Sequence, residues 1–163
     1  MDRTIYINGY FGEEMLIKFH TRLRILEAQG TEEIHLLINS PGGRVSVLDT
    51  MLTLIKASPC KFNTFVAGIA ASCGFMLFIL GAKEGQRVVF PHAQLMCHSA
   101  SGFDKITDDE TVVDKINTRF IEEIATITKR SIAEIDEYFT RDYYFMGDEC
   151  VTQGFATSVG VNS

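Results

Sequence analysis

Hydrophobic positions along the chain fall into two rhythms. Thr4–Asn8 is short and rich in Ile and Tyr, which predicts a strand. Over Glu13–Gln29, Leu16, Phe19, Leu23 and Leu26 recur at spacings of 3, 4 and 3, and Gly30 follows. That is the stripe of an amphipathic helix with a glycine stop. Ile34–Asn39 is a near-continuous apolar run, the pattern of a strand buried on both faces. Ser40-Pro41-Gly42-Gly43 reads as a turn. Val45–Lys56 reads as a helix with Leu48, Met51, Leu52 and Ile55 on one face and Pro59 beyond its end. Phe62–Val66 predicts a third strand, Gly68–Ala71 a turn, and Ser72–Leu80 a buried helix ending at Gly81. Arg87–Phe90 and Gln94–Cys97 read as short strands separated by Pro91. Ile106–Lys129 is a long helix with apolar Val113, Ile116, Phe120, Ile124 and Ile127. Ser131-Ile132-Ala133-Glu134 has the capping-box pattern of a helix start, and Gly154 precedes a last strand near Phe155–Val161. Strands alternating with helices imply an α/β domain with a largely parallel sheet.

One run needs a decision. Phe65 to Ala82 carries no charge over 18 residues, the threshold length for a membrane span. The alternative is a buried strand, a turn and a buried helix. Gly68, Ser72 and Gly74 break the run in its middle, and no second such run exists, which favours the buried reading. The 163 residues amount to one domain, able to bury a core without disulfides or metal. Fifteen Lys and Arg against 21 Asp and Glu give a net charge of −6, with no basic run, so nucleic acid is not an expected partner. Cys60, Cys73, Cys97 and Cys150 form no CxxC pair; they read as reduced, mostly buried thiols of a cytoplasmic protein. The N-terminus lacks a basic region followed by an apolar one, so no secretory signal is expected.

Two strand-to-helix turns share a chemical feature. Asn39-Ser40-Pro41-Gly42-Gly43 and Val66 through Gly74 each follow a buried strand and open a helix. In an α/β sheet the C-terminal strand ends line the site-bearing crevice, and helix N-termini there offer free amides to an anion. Ser72 would start its helix beside those amides, where an acyl-transfer nucleophile belongs; its alternative role is an ordinary N-cap. A serine nucleophile needs a base. His20 lies in the first helix, His35 early in a strand and His92 in a loop, whereas His98 ends a strand, as Ser72 does. Alone, such a histidine is as readily structural. The acid that orients a base could be Asp142, which directly precedes the aromatic run Tyr143-Tyr144-Phe145, or Asp142 could be an exposed loop residue. Cys97 and Cys73 point away from His98 and Ser72 by strand alternation and helical rotation, so they read as packing residues. His92, Cys97 and His98 lack a metal-ligand spacing.

These motifs resemble, in order, those of the Clp protease proteolytic subunit (ClpP) family, the peptidase branch of the ClpP/crotonase fold. Ile38 through Gly43 is similar to that family's glycine loop, and Gly68 through Gly74 to its nucleophile turn, with Gly81-Ala82-Lys83 closing the next helix. Met96-Cys97-His98 resembles its histidine strand end, and Arg141-Asp142 through Glu149, then Gly154, its aspartate segment. The likeness spans Arg3 to about Gly160.

The resemblance implies a single ClpP-like domain over residues 1–163, a repeated β-β-α superhelix with a long protruding handle helix in about residues 104–139. It implies Ser72 as nucleophile, His98 as base and Asp142 as orienting acid, with the amides of Gly43 and Cys73 as oxyanion donors. Gly42, Gly43, Arg44 and Val45 would bind substrate, and Gly43 to Val47 would form an edge that pairs with an extended peptide. The implied activity is serine endopeptidase action on unfolded polypeptides or short peptides inside a ring-shaped chamber. No cofactor and no metal are needed. The implied assembly is a homo-oligomer, a heptameric ring or a stacked double ring, served by an AAA+ unfoldase. The chain starts almost at its first strand, without the family's N-terminal axial segment, and the His98-to-Asp142 segment is shorter than is usual. Two other classes use the same two glycine turns: a crotonase-like enzyme on acyl-CoA thioesters, and a catalytically silent ring-forming scaffold.

Overall fold

Strands and helices alternate as far as α3 and then follow in mixed order through residues 2–100 and 110–160, the part of the chain that this computed structural model describes. The order is β1 (Thr4–Phe11), α1 (Glu13–Gln29), β2 (Ile34–Gly43), α2 (Val45–Ala57), β3 (Phe62–Ala71) and α3 (Cys73–Leu80). Next come β4 (Arg87–Val89), β5 (Gln94–Cys97), α4 (Glu110–Thr128), α5 (Ile132–Glu137), β6 (Tyr143–Met146), α6 (Asp148–Thr152) and β7 (Ser158–Val159). Ser101, Gly102, the predicted helical start at 106–109 and Val161 lie outside the described residues.

One seven-stranded sheet runs β1-β2-β3-β4-β7, with β5 on β3 and β6 on β5. Every pairing is parallel except β5 with β6. β3 is long enough to serve two neighbours. Thr64–Val66 pair with β4, and Ile69–Ala71 pair with β5. The strand that begins the site therefore carries β5, and β6 behind it, to its C-terminal end.

The core lies between one face of the sheet and the helices. It holds Ile5, Ile7, Leu36, Ile38 and Val66 from strands, and Phe19, Leu23, Leu48, Met51, Phe75 and Phe78 from helices. Each such side chain contributes about 1.5–3 kcal/mol on burial. β2 alternates buried Ile34, Leu36, Ile38 with half-buried His35 and Leu37. The expectation of a strand covered on both faces is thereby corrected. Tyr6, Leu37 and Phe65 lie side by side on the opposite face, Leu37 and Phe65 half-buried and Tyr6 63% exposed. The charge-free run resolves into β3 and α3, and α3 buries seven of its eight residues. Among the described residues no helix is long and apolar enough to cross a membrane.

Two predicted turns are strand instead. β2 runs on through Gly43, pairing Tyr10 with Gly42 and Phe11 with Gly43, and β3 runs on to Ala71. Bulges, not turns, absorb the irregular residues: the register shifts between Asn8 and Tyr10 on β1 and between Ile38 and Ser40 on β2. A bulge bends a strand and re-aims the residues beyond it. The last strand is shorter than expected, Ser158–Val159. α4 buries Phe120, Ile121, Ile124 and Ala125, all in its C-terminal half, while Val112 in its first turn is exposed. In the half nearer Glu110, Ile116 still packs against the core, and the first turn is exposed.

Candidate active site

The nucleophile turn is strained. Ser72 joins β3 to α3 with φ 54° and ψ −118°, outside the region ordinary side chains adopt. Such a residue costs about 1–3 kcal/mol and persists only where its surroundings over-determine it. Here its amide donates to Met96 O at 3.0 Å, and its carbonyl accepts from Met76 N at 3.0 Å. The Ser72 side chain makes no capping hydrogen bond to its helix, so the N-cap role does not apply.

Gly42 packs directly on this turn. A Cβ at Gly42 would fall 2.8 Å from Ala71 O, 2.8 Å from Ser72 Cβ and 3.0 Å from Cys73 N, and its φ of +99° is glycine territory. Gly74 approaches the other strand in return: a Cβ there would meet Ser40 O at 3.0 Å. The two turns are therefore in backbone contact, with the first amide of α3 at the seam.

The sheet register brings the other two groups together. Ala71 pairs with Met96 on β5, and Cys97 pairs with Tyr143 on β6. One residue further along the antiparallel pair, His98 faces Asp142. Their side chains meet at 3.2 Å, His98 Nδ1 to Asp142 Oδ1. A carboxylate only accepts, so Nδ1 is the donor in this contact, and it is in the neutral imidazole that Nε2 keeps its lone pair. His98 is 30% exposed and Asp142 59%, so this pair is reached by water.

Ser72 and His98 line the same cleft, of about 330 Å³, with Gly42, Gly43 and Cys73. The rest of its wall is largely apolar: Tyr10, Pro41, Val45, Met76, Ala100 and Phe120. A family model described as Clp protease matches residues 1–163.

The chain belongs to the Clp protease family.

Curated relatives agree along nearly the whole chain. The "ATP-dependent Clp protease proteolytic subunit 1" of Corynebacterium jeikeium is 29% identical over 97% of this chain and 87% of its own length. The "ATP-dependent Clp protease proteolytic subunit 2" of Thermobifida fusca is 29% identical over 99% of this chain and 82% of its own. Among solved structures, a mutant ClpP1 from Listeria monocytogenes superimposes with a TM-score of 0.88 at 26% identity, covering 98% of this chain and 92% of that one. The mostly parallel sheet with its long α4 is thus a Clp protease fold.

Within this Clp protease domain, the expected extended edge from Gly43 to Val47 needs correction. Arg44 is not among the cleft-lining residues. Its amide donates to Phe11 O at 2.9 Å, and its carbonyl accepts from Val47 and Leu48 as α2 begins. Backbone from Val45 to Val47 is consequently helical and offers no extended edge, while Pro41, Gly42, Gly43 and Val45 line the cleft. Tyr10, Met76 and Phe120 were not legible as lining residues. Only their apolar spacing was visible, and that reads equally as core.

The remaining nucleophile candidates sit in the wrong chemistry. Cys97 is buried, and burial pushes its thiol far above the ordinary range. Cys73 turns its Sγ to Gly43 O, 3.2 Å away. His35 contacts Asn63 and Phe65 on β3, remote from the β5–β6 pair, while His20 and His92 are exposed. No group of three metal-ligating side chains occurs among the described residues.

Proposed function

We propose that this chain is a serine endopeptidase subunit of the ATP-dependent Clp type, cleaving unfolded polypeptides or short peptides within a ring-shaped chamber. The observation that carries this reading is the shared cleft: a strained, uncapped Ser72, the His98–Asp142 pair and the Gly42–Gly43 backbone around one volume. Ser72 Oγ attacks the scissile carbonyl carbon while His98 Nε2 takes its proton. Negative charge on the former carbonyl oxygen rests on the amides of Gly43 and Cys73. His98 then protonates the departing amine, leaving an acyl ester on Ser72. Water, deprotonated by His98, attacks that ester and releases the acid. Asp142 holds the imidazole in its Nδ1-protonated form and stabilises the imidazolium.

The apolar wall of Tyr10, Val45, Met76 and Phe120 suits an apolar side chain next to the cleaved bond. Assembly is supported by exposed apolar surface. Tyr6 is 63% exposed with half-buried Leu37 and Phe65 beside it, and the first turn of α4, with Val112, is exposed. A ring of copies covers such surfaces, and the names of the relatives point to an ATP-driven partner. The test is hydrolysis of a short fluorogenic peptide, with sedimentation of the same sample. We expect cleavage by a particle of several copies and none by Ser72→Ala. Cleavage that survives Ser72→Ala, or full activity in a monomer, would contradict the proposal.

A further inference from the structure

We infer that Ser40 and Cys73 are positioning residues that lock the Gly42–Gly43 peptide plane from both sides and so aim the Gly43 amide; the inference rests on the peptidase reading above. That amide belongs to the plane between the two glycine Cα atoms. Glycines with φ of +99° and +150° have no Cβ to restrict that plane; the β1–β2 ladder engages it at the Gly42 carbonyl, and the side chains add a hold on the peptide groups to either side.

Both neighbours are held by side chains. On the N-terminal side, the Gly42 amide donates to Ser40 Oγ at 3.0 Å, and that hydroxyl donates to Gly9 O at 2.5 Å. Ser40 is fully buried, so its hydroxyl is committed to these two bonds. Gly9 stands at the β1 bulge with φ +89°, and its carbonyl accepts from Ser40 Oγ there. On the C-terminal side, Cys73 Sγ donates to Gly43 O at 3.2 Å, and the Arg44 amide in that same plane is bound to Phe11 O. Cys73 also supplies the second amide of the proposed oxyanion pair. Its thiol thus ties the two donors into one unit: moving Gly43 means moving the first residue of α3.

Neither side chain touches the reacting atoms. Their effect should appear in the transition state, where the oxyanion forms, and not in binding of the ground state. The test compares wild type, Ser40→Ala, Cys73→Ala and Cys73→Ser on a fluorogenic peptide, with inhibition by a peptide boronate, whose tetrahedral adduct on Ser72 puts an oxygen at the oxyanion position. Cys73→Ala and Ser40→Ala are each expected to lower kcat by about tenfold or more, with KM within about twofold, and to weaken boronate inhibition in proportion. Cys73→Ser keeps a donor and is expected to recover to within about threefold of wild type. Urea unfolding of each variant separates lost folding from lost alignment. Equal kcat in wild type and Cys73→Ala, or a Cys73→Ser as slow as Cys73→Ala, would overturn the inference. An inactive wild type that the boronate does not inhibit would instead overturn the peptidase reading beneath it.

Discussion

Gly42→Ala isolates the close approach on which the site depends. The added Cβ meets Ala71 O at 2.8 Å, Ser72 Cβ at 2.8 Å and Cys73 N at 3.0 Å. All three lie on the nucleophile turn, and two are backbone atoms that cannot rotate away. Relief requires that the glycine strand and the turn separate by several tenths of an ångström. Overpacking of this kind costs about 1–3 kcal/mol, and the positive φ adds about 1–3 kcal/mol. The combined loss of stability is roughly 2–6 kcal/mol. The catalytic effect should exceed what stability alone explains, because a displacement near 1 Å costs on the order of 10²-fold in rate. Gly147→Ala is the control. Gly147 also has a positive φ, +49°, but the nearest atom to its Cβ is Pro91 O at 3.8 Å. It should lose stability and keep peptidase activity to within about twofold. Urea unfolding gives the stability change, and kcat/KM on a fluorogenic peptide, measured well below each midpoint, gives the catalytic one. Gly42→Ala within about threefold of wild-type kcat/KM would refute the reasoning, since the turn would then tolerate the separation.

The same geometry carries other expectations. His98→Ala should reduce kcat by about 10³-fold or more, whereas His92→Ala, in an exposed loop, should stay within tenfold; equal effects in steady-state assays would leave the base unassigned to β5. Asp142→Asn should also slow kcat, and to a greater degree than it alters KM, because the amide can donate to Nδ1 and hold the wrong tautomer. Burial pushes the Cys97 thiol up, and burial followed by nearby Glu149 pushes Cys150 up to about 12. These thiols therefore hold their protons more tightly when folded. Their contribution is complete below the ordinary thiol range, about pH 8.5, and fades as pH rises through the folded values. Native protein at about pH 8.5 should resist iodoacetamide at both positions, and rapid alkylation before unfolding would contradict the burial. Ser131→Ala removes the α5 cap, whose Oγ accepts from Glu134 N at 3.2 Å, and should cost about 1 kcal/mol in urea unfolding. Hydrogen bonds from the Ser131 amide and hydroxyl hold Glu134 below the usual carboxylate range, so this support is present above that range and is lost as pH falls through the depressed value.

The sequence spoke most clearly where a single periodicity ran unbroken. The stripe Leu16, Phe19, Leu23, Leu26 predicts α1 to the residue, and Ser131 with Glu134 predicts the start of α5. It was misleading where local and tertiary signals conflict. Pro41, Gly42 and Gly43 look like a turn, yet bulges on β1 and β2 let them remain strand. Tyr143–Met146 was visible as an aromatic run but not as a strand, because its partner β5 lies more than forty residues earlier and nothing local specifies that pairing. The short α6, only Asp148–Thr152, has no periodicity to detect. At the site, Ser72 was suggested by its glycine-flanked turn alone. His98 and Asp142 gained their roles from the family resemblance, since a histidine at a strand end and an aspartate before aromatics are ordinary features. Their juxtaposition comes from strand register. Arg44 shows the same limit from the other side: the family resemblance implied a substrate contact there, whereas the start of α2 engages its backbone groups.

The most direct test of the central claim is the residue that a fluorophosphonate labels. The reagent reacts with a serine only where a base takes the hydroxyl proton and amides receive the phosphoryl oxygen. The intact protein should gain one adduct, and peptide mapping should place it on Ser72, with labelling lost in Ser72→Ala and slowed in His98→Ala. Wild-type protein that gains no adduct, or an adduct mapped to any other serine, would contradict the account.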